Sequence, residues 1–202
     1  MTAIILNSLI VVLELISCYL AFEHSGIRAL VFYTVLSNIM GLISSALYVG
    51  YAVGGGKPPL WVSTFRYTAT VCLTVTFLVV MLVLLPMEAK HGDPARLLYK
   101  GANLGHHIIC PILAIVSLLF FDKLHALGRK ELLIAFSFTV AYATALIILN
   151  LLKKVHGPYP FLYVYEQPFF MSVMWLVVIL GSAFGTAALV RLLVSVLNKN
   201  WK

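Results

Sequence analysis

Apolar residues run along this chain in blocks of roughly twenty, the length that carries a helix across a ~30 Å hydrocarbon layer at about 1.5 Å per residue. Six blocks are legible, at residues 3–22, 29–52, 63–85, 97–121, 131–152 and 167–197. The breaks between them are rich in Gly, Pro and charge, including Glu23-His24-Ser25-Gly26, Gly54 to Pro59, Pro86 to Arg96, Asp122 to Lys130, and Lys153 to Pro160. Gly and Pro belong where a backbone has to leave a helix. The blocks are long and lack the period-two alternation of strands, so a β-barrel is disfavoured. The pattern predicts an all-α integral membrane protein. Residues 1–202 form a single domain, a bundle of about six transmembrane helices with both termini on the same side of the bilayer.

Composition sharpens this picture. Of the 202 residues 62% are apolar and 10% charged, whereas a soluble domain carries about a quarter charged residues. A core of this size cannot hide so much apolar surface from water, so lipid is the solvent. Soluble enzymes, nucleic-acid modules and disordered regulators are excluded. The net charge of +7 is spread through short loops, where anionic head groups rather than nucleic acid are its natural partners. Lys57, Arg66, Lys123, Arg129, Lys130, Arg191, Lys199 and Lys202 fall on the termini side, against Arg28, Lys90, Arg96, Lys100, Lys153 and Lys154. That slight excess points to cytoplasmic termini. Met1-Thr2-Ala3 supplies no cationic leader, and the first block reads as a retained span. Cys18, Cys72 and Cys110 lie inside apolar blocks and read as small apolar fillers.

Polar side chains inside the blocks are few, and each needs a partner or a wet cavity. Thr34, Ser37 and Asn38 share one helix face, as do Asn103, His106 and His107. Thr34, His106 and Glu14 all fall within about 7–14 Å of the face opposite the termini. The spacing therefore predicts a polar pocket in one leaflet half above an apolar floor, with Arg66 snorkelling to phosphates at the other interface. Trp61, Tyr159, Tyr163 and Tyr165 fit an interfacial aromatic belt. Gly181 and Gly185 form a G-x-x-x-G that suits close helix packing, and Pro111 is expected to kink the fourth span near His107.

A threonine hydroxyl becomes a nucleophile when a neutral imidazole accepts its proton. Thr34 and His106 could supply those parts, with Asn38, Ser37, Asn103, His107 and Glu14 as supporting polar groups that orient the ring or stabilise an oxyanion. Metal hydrolysis is the rival. His106 and His107 are about 100° apart around a helix and cannot easily share an ion, which leaves Glu14 and one histidine, short of a zinc site. No metal or cofactor is expected. A second alternative is a small transporter or lipid-binding protein that uses Glu14 with His106 or His107 as its polar site.

Three ordered segments carry a family resemblance: Phe32-Tyr33-Thr34-Val35-Leu36-Ser37-Asn38, Asn103-Leu104-Gly105-His106-His107-Ile108-Ile109-Cys110-Pro111, and Gly157-Pro158-Tyr159-Pro160-Phe161-Leu162. Together they resemble the androgen-induced membrane protein family, which includes the androgen-dependent regulator of tissue factor pathway inhibitor, and in particular its bacterial six-span branch. The resemblance implies an intramembrane threonine hydrolase of fatty acid esters of hydroxy fatty acids. It implies Thr34 as nucleophile and, five residues before Pro111, His106 as general base, with a lipid acyl ester as substrate and the bacterial cytoplasmic membrane as location. Ser37 stands where animal members carry an acidic residue.

Overall fold

A computed structural model describes residues 1–90 and 92–197. His91 and the lysines Lys199 and Lys202 of the charge comparison lie outside the described residues. All regular structure among those described is helical. Five helices are long and apolar enough to cross a membrane, three of them in the first half of the chain. These are α1 (Thr2–Ser25), α2 (Tyr33–Val53) and α3 (Leu60–Glu88). After a single turn at Arg96–Tyr99 comes the shorter apolar helix α4 (Leu104–Phe120), followed by the remaining two long ones, α5 (Arg129–Leu151) and α6 (Phe169–Leu197).

The fourth apolar block is thus shorter as a helix than as a sequence. Gly101 adopts a φ of 59°, a left-handed conformation that suits glycine and ends the Arg96–Tyr99 turn. At the other end, Asp122 folds back into the protein rather than joining the loop surface. The fifth helix opens on a carboxylate clasp, in which the Gly128 amide donates to Glu131 Oε2 at 2.7 Å. Both proline-bearing helices contain a π-turn, at Val80–Leu84 just before Pro86 and at Leu104–Ile109 just before Pro111. A proline has no amide to give the carbonyl one turn earlier, so the wider turn absorbs the mismatch.

Helix α3 is the centre of the bundle and packs against α2, α4, α5 and α6, while α1 lies along α2 and α4. Its burial explains the many hydroxyls and small residues among its apolar ones. Tyr67 is fully buried and donates to the Ala187 carbonyl of α6 at 2.6 Å.

Arg66 does not snorkel. It is fully buried on α3, with Nε 3.0 Å from Asp122 Oδ2. Asp122 Oδ1 accepts from Asn7 Nδ2 at 2.8 Å and from Ser117 Oγ at 2.7 Å. One carboxylate thereby ties α1, α3 and the end of α4 together, and the expected apolar floor is instead an ion pair inside a hydrogen-bonded cage. Arg66 Nη2 reaches the Ala114 carbonyl at 3.5 Å, while Nη1 is buried without a partner. Gly181 and Gly185 also depart from expectation. An added Cβ at either would meet nothing within 4 Å, so neither glycine is needed for a close helix approach among the described residues.

Removing one partner of a buried pair leaves an uncompensated charge, which costs about 3–5 kcal/mol. Asp122→Leu is therefore expected to lower the thermal midpoint of the detergent-solubilised protein sharply, and Arg66→Met/Asp122→Leu to recover part of the loss. An unchanged midpoint in Asp122→Leu would show that the pair does not hold the bundle.

Candidate functional site

Two polar constellations flank α2. The first sits at its N-terminus. A 3-10 segment at Gly26–Val31 and the extended residue Phe32 bring the chain into the helix, whose first amides have no partner within it. Tyrosines supply the missing acceptors. The Tyr33 amide donates to Tyr142 Oη at 3.1 Å, and the Thr34 amide to Tyr159 Oη at 3.4 Å. The Thr34 hydroxyl also meets Tyr159 Oη, at 3.3 Å. Tyr159 comes from the loop between α5 and α6 and stacks on Phe161, with centroids 5.2 Å apart. Its burial pushes the phenol above its ordinary pKa, which keeps it neutral and able to donate near pH 7. The position of Tyr159 in the sequence suggests an interfacial belt. It is instead a buried partner of the candidate nucleophile, and its place in the third motif was the available signal.

Thr34 and Tyr159 stand at the edge of a cavity of about 300 Å³. Its walls are almost wholly apolar, drawn from α2, α3, α5, α6 and the loop before α6, with Val79, Phe161 and Trp175 among them. Thr76 and Tyr142 add further hydroxyls to the lining. That volume is at the lower end of ligand sites, about 300–1,000 Å³.

The second constellation joins α1 and α4. His106 Nε2 lies 3.4 Å from Glu14 Oε2 and 3.8 Å from Cys18 Sγ, and all three residues are buried. Gly105 makes this approach possible, because a Cβ there would fall on Ser17 Oγ. Gly41 of α2 gives similar room: its added Cβ would crowd Leu73 and stand 3.8 Å from Glu14 Oε1.

The predicted polar faces are therefore divided rather than opposed across one pocket. Asn38 Nδ2 donates to the Thr34 carbonyl at 2.7 Å and to the His106 carbonyl at 3.2 Å. Ser37 Oγ donates to the Thr34 carbonyl and meets Thr76 Oγ1, both at 2.9 Å. Thr34 and His106 are thus brought to either side of one amide through their backbones, while their side chains face different partners. Among the described residues no hydrogen bond joins the Thr34 hydroxyl to the His106 ring. His107 Nδ1 donates to the Leu97 carbonyl at 2.5 Å, and Asn103 Nδ2 to the Arg96 carbonyl at 3.0 Å. Those two residues anchor the start of α4 to the preceding turn and leave the pocket to others.

No family model, no curated protein and no solved structure matches this chain.

Gly105→Ala is expected to cost about 1–3 kcal/mol, the usual penalty of forcing a methyl into packed space, and Gly105→Ala/Ser17→Gly to regain most of it. Thermal unfolding in detergent reads both. A Gly105→Ala protein as stable as the parent would show that α1 and α4 do not need this approach.

Proposed function

We propose that this chain is an intramembrane lipid-ester hydrolase of six spans, α4 included, set in a bacterial cytoplasmic membrane with cytoplasmic termini. The observation that carries the reading is the Thr34 hydroxyl at the edge of an otherwise apolar cavity. An acyl arm fills the cavity and its ester comes to rest against Thr34. Thr34 Oγ1 forms the bond to the carbonyl carbon, its proton passes to His106, and the alkoxide leaves with that proton. Water then releases the acyl group by the same steps in reverse. Tyr159 is placed to donate to the substrate's oxygen.

His106 is the base in this scheme. Its Nε2 faces Glu14, which leaves Nδ1 for the threonine's proton, and Asn38 already holds both backbones. Contact requires α2 and α4 to close on the bound ester, as catalytic hydrogen bonds often tighten only when substrate is present. The resemblance of the ordered motifs to the androgen-induced membrane protein family supports the same assignment, with fatty acid esters of hydroxy fatty acids as the substrate class.

The absence of a Thr34–His106 hydrogen bond favours a second reading, a lipid-binding protein that performs no chemistry. In it the cavity receives an acyl chain, and Thr34 and Tyr159 receive its polar end. The transporter version built on His107 has less support, since that ring is engaged by Leu97.

Purified full-length protein, Thr34→Ala and His106→Ala separate these readings when assayed for acyl-ester turnover, fluorophosphonate labelling and binding of a fluorescent acyl ester. The hydrolase predicts no labelling of Thr34→Ala and turnover reduced about 10²–10⁴-fold in His106→Ala, with binding kept in both. Undiminished turnover in Thr34→Ala would overturn it. Binding by the parent protein without any turnover would establish the binder instead.

A further inference from the structure

The α1–α4 constellation has a property that hydrolysis does not use. Both Glu14 carboxylate oxygens are buried without a hydrogen-bond donor, although Oε2 lies 3.4 Å from the His106 ring. A carboxylate in such surroundings is costly unless a cation answers it. One oxygen of Glu14, Sγ of Cys18 and one ring nitrogen of His106 all lie within 4.8 Å of one another.

We propose that Glu14, Cys18 and His106 form a buried binding site for a zinc-like divalent cation. Ligand type, spacing and charge all agree. Carboxylate, thiolate and imidazole are the three ligand classes that zinc takes, at about 2.0–2.2 Å from oxygen, 2.0–2.1 Å from nitrogen and 2.3 Å from sulfur. A tetrahedral ion with those bonds sets its nitrogen and oxygen ligands about 3.3 Å apart, and its nitrogen and sulfur ligands about 3.6 Å apart. The separations found here are 3.4 Å and 3.8 Å, so these two pairs stand within tenths of an ångström of that spacing, and the oxygen–sulfur pair lies within 4.8 Å. Glu14 and Cys18 sit one helical turn apart on α1 and reach the same point from one face.

Charge closes the argument. A Glu14 carboxylate and a Cys18 thiolate neutralise a divalent ion, while His106 binds as a neutral ring. The assembled site carries no net charge, as a buried place requires. The ion bonds to Cys18 Sγ as the thiol proton departs to solvent, so uptake releases protons and strengthens as pH rises. A cation at His106 and a proton accepted there exclude each other, so metal would silence the hydrolysis proposed above. The experiment below reads the metal itself and stands whether or not that reaction exists.

Full-length protein in detergent, stripped with a chelator, is titrated with Co²⁺ and then with Zn²⁺. The expected result is one Co²⁺ per chain, with the intense visible bands of a tetrahedral ion and a near-ultraviolet thiolate-to-cobalt band, both abolished by Zn²⁺. Cys18→Ser is expected to lose the thiolate band, and Glu14→Gln and His106→Ala to weaken binding at least tenfold. Thr34→Ala and His156→Ala are expected to bind as the parent does. X-ray absorption at the zinc edge of the parent protein covers the case in which a variant does not fold, with mixed sulfur and nitrogen or oxygen neighbours expected at about 2.3 Å and 2.0 Å. No stoichiometric uptake by the parent, a zinc edge without sulfur, or folded Cys18→Ser and Glu14→Gln variants that bind like the parent would overturn the site.

Discussion

Hydrocarbon offers a polar group nothing to bond with, and the arrangement of this bundle follows from that constraint. The chain holds several groups that would be ruinous if left alone in lipid. The charged pair among them is brought inward and joined across elements. Arg66 and Asp122 neutralise each other, and Asn7 and Ser117 complete the carboxylate's coordination. Because those four residues come from α1, α3, α4 and the residue just beyond α4, satisfying one charge also fixes how the helices sit. Such a pair contributes little net stability compared with apolar packing of the same volume. What it supplies is a unique register, since sliding any one helix by a turn would strand an ion.

The same constraint partitions the other half of the protein. Helix α2 carries polar residues toward two sides, and each side solves its own problem. Toward α5 and α6, tyrosines cap the helix start and leave a hydroxyl-edged apolar cavity. Toward α1 and α4, two glycines thin the wall so that His106 can stand beside Glu14 and Cys18. In the readings proposed above, the cavity receives a chain-like apolar ligand with one polar end. The α1–α4 cluster is the place proposed above for a small cation.

Much of this was legible in the residue pattern, though not all of it. Block length and composition define an all-helical, membrane-compatible bundle because the cost of exposing polar backbone to lipid overrides local propensity. The candidate site residues are legible for the same reason: a polar side chain in an apolar block stands out. Their partners are not, because helix order around a bundle leaves no trace in spacing. Cys18 illustrates the loss. Read alone it is a small apolar filler, and only the approach of α4 through Gly105 turns it into a neighbour of an imidazole. Asp122 is hidden in a similar way, since it sits at a block boundary where a loop carboxylate would be unremarkable. Tyr159 shows the opposite failure, because an aromatic near an interface has a ready explanation that conceals its hydrogen bond to Thr34.

Asn38 is where the two halves of the site meet. Its amide nitrogen has two hydrogens, and both are spent, one on the Thr34 carbonyl and one on that of His106. Its own oxygen is left buried and without a donor, an expense that a fold tolerates only where something else is gained. The gain here is mechanical. A π-turn frees the α4 backbone at His106 from the regular helical ladder, and Asn38 ties that backbone to the first turn of α2. The residue that carries the cavity-edge hydroxyl and the residue that carries the imidazole are thereby held by the same amide. One side chain thus joins the two halves of the site, through a backbone carbonyl of each.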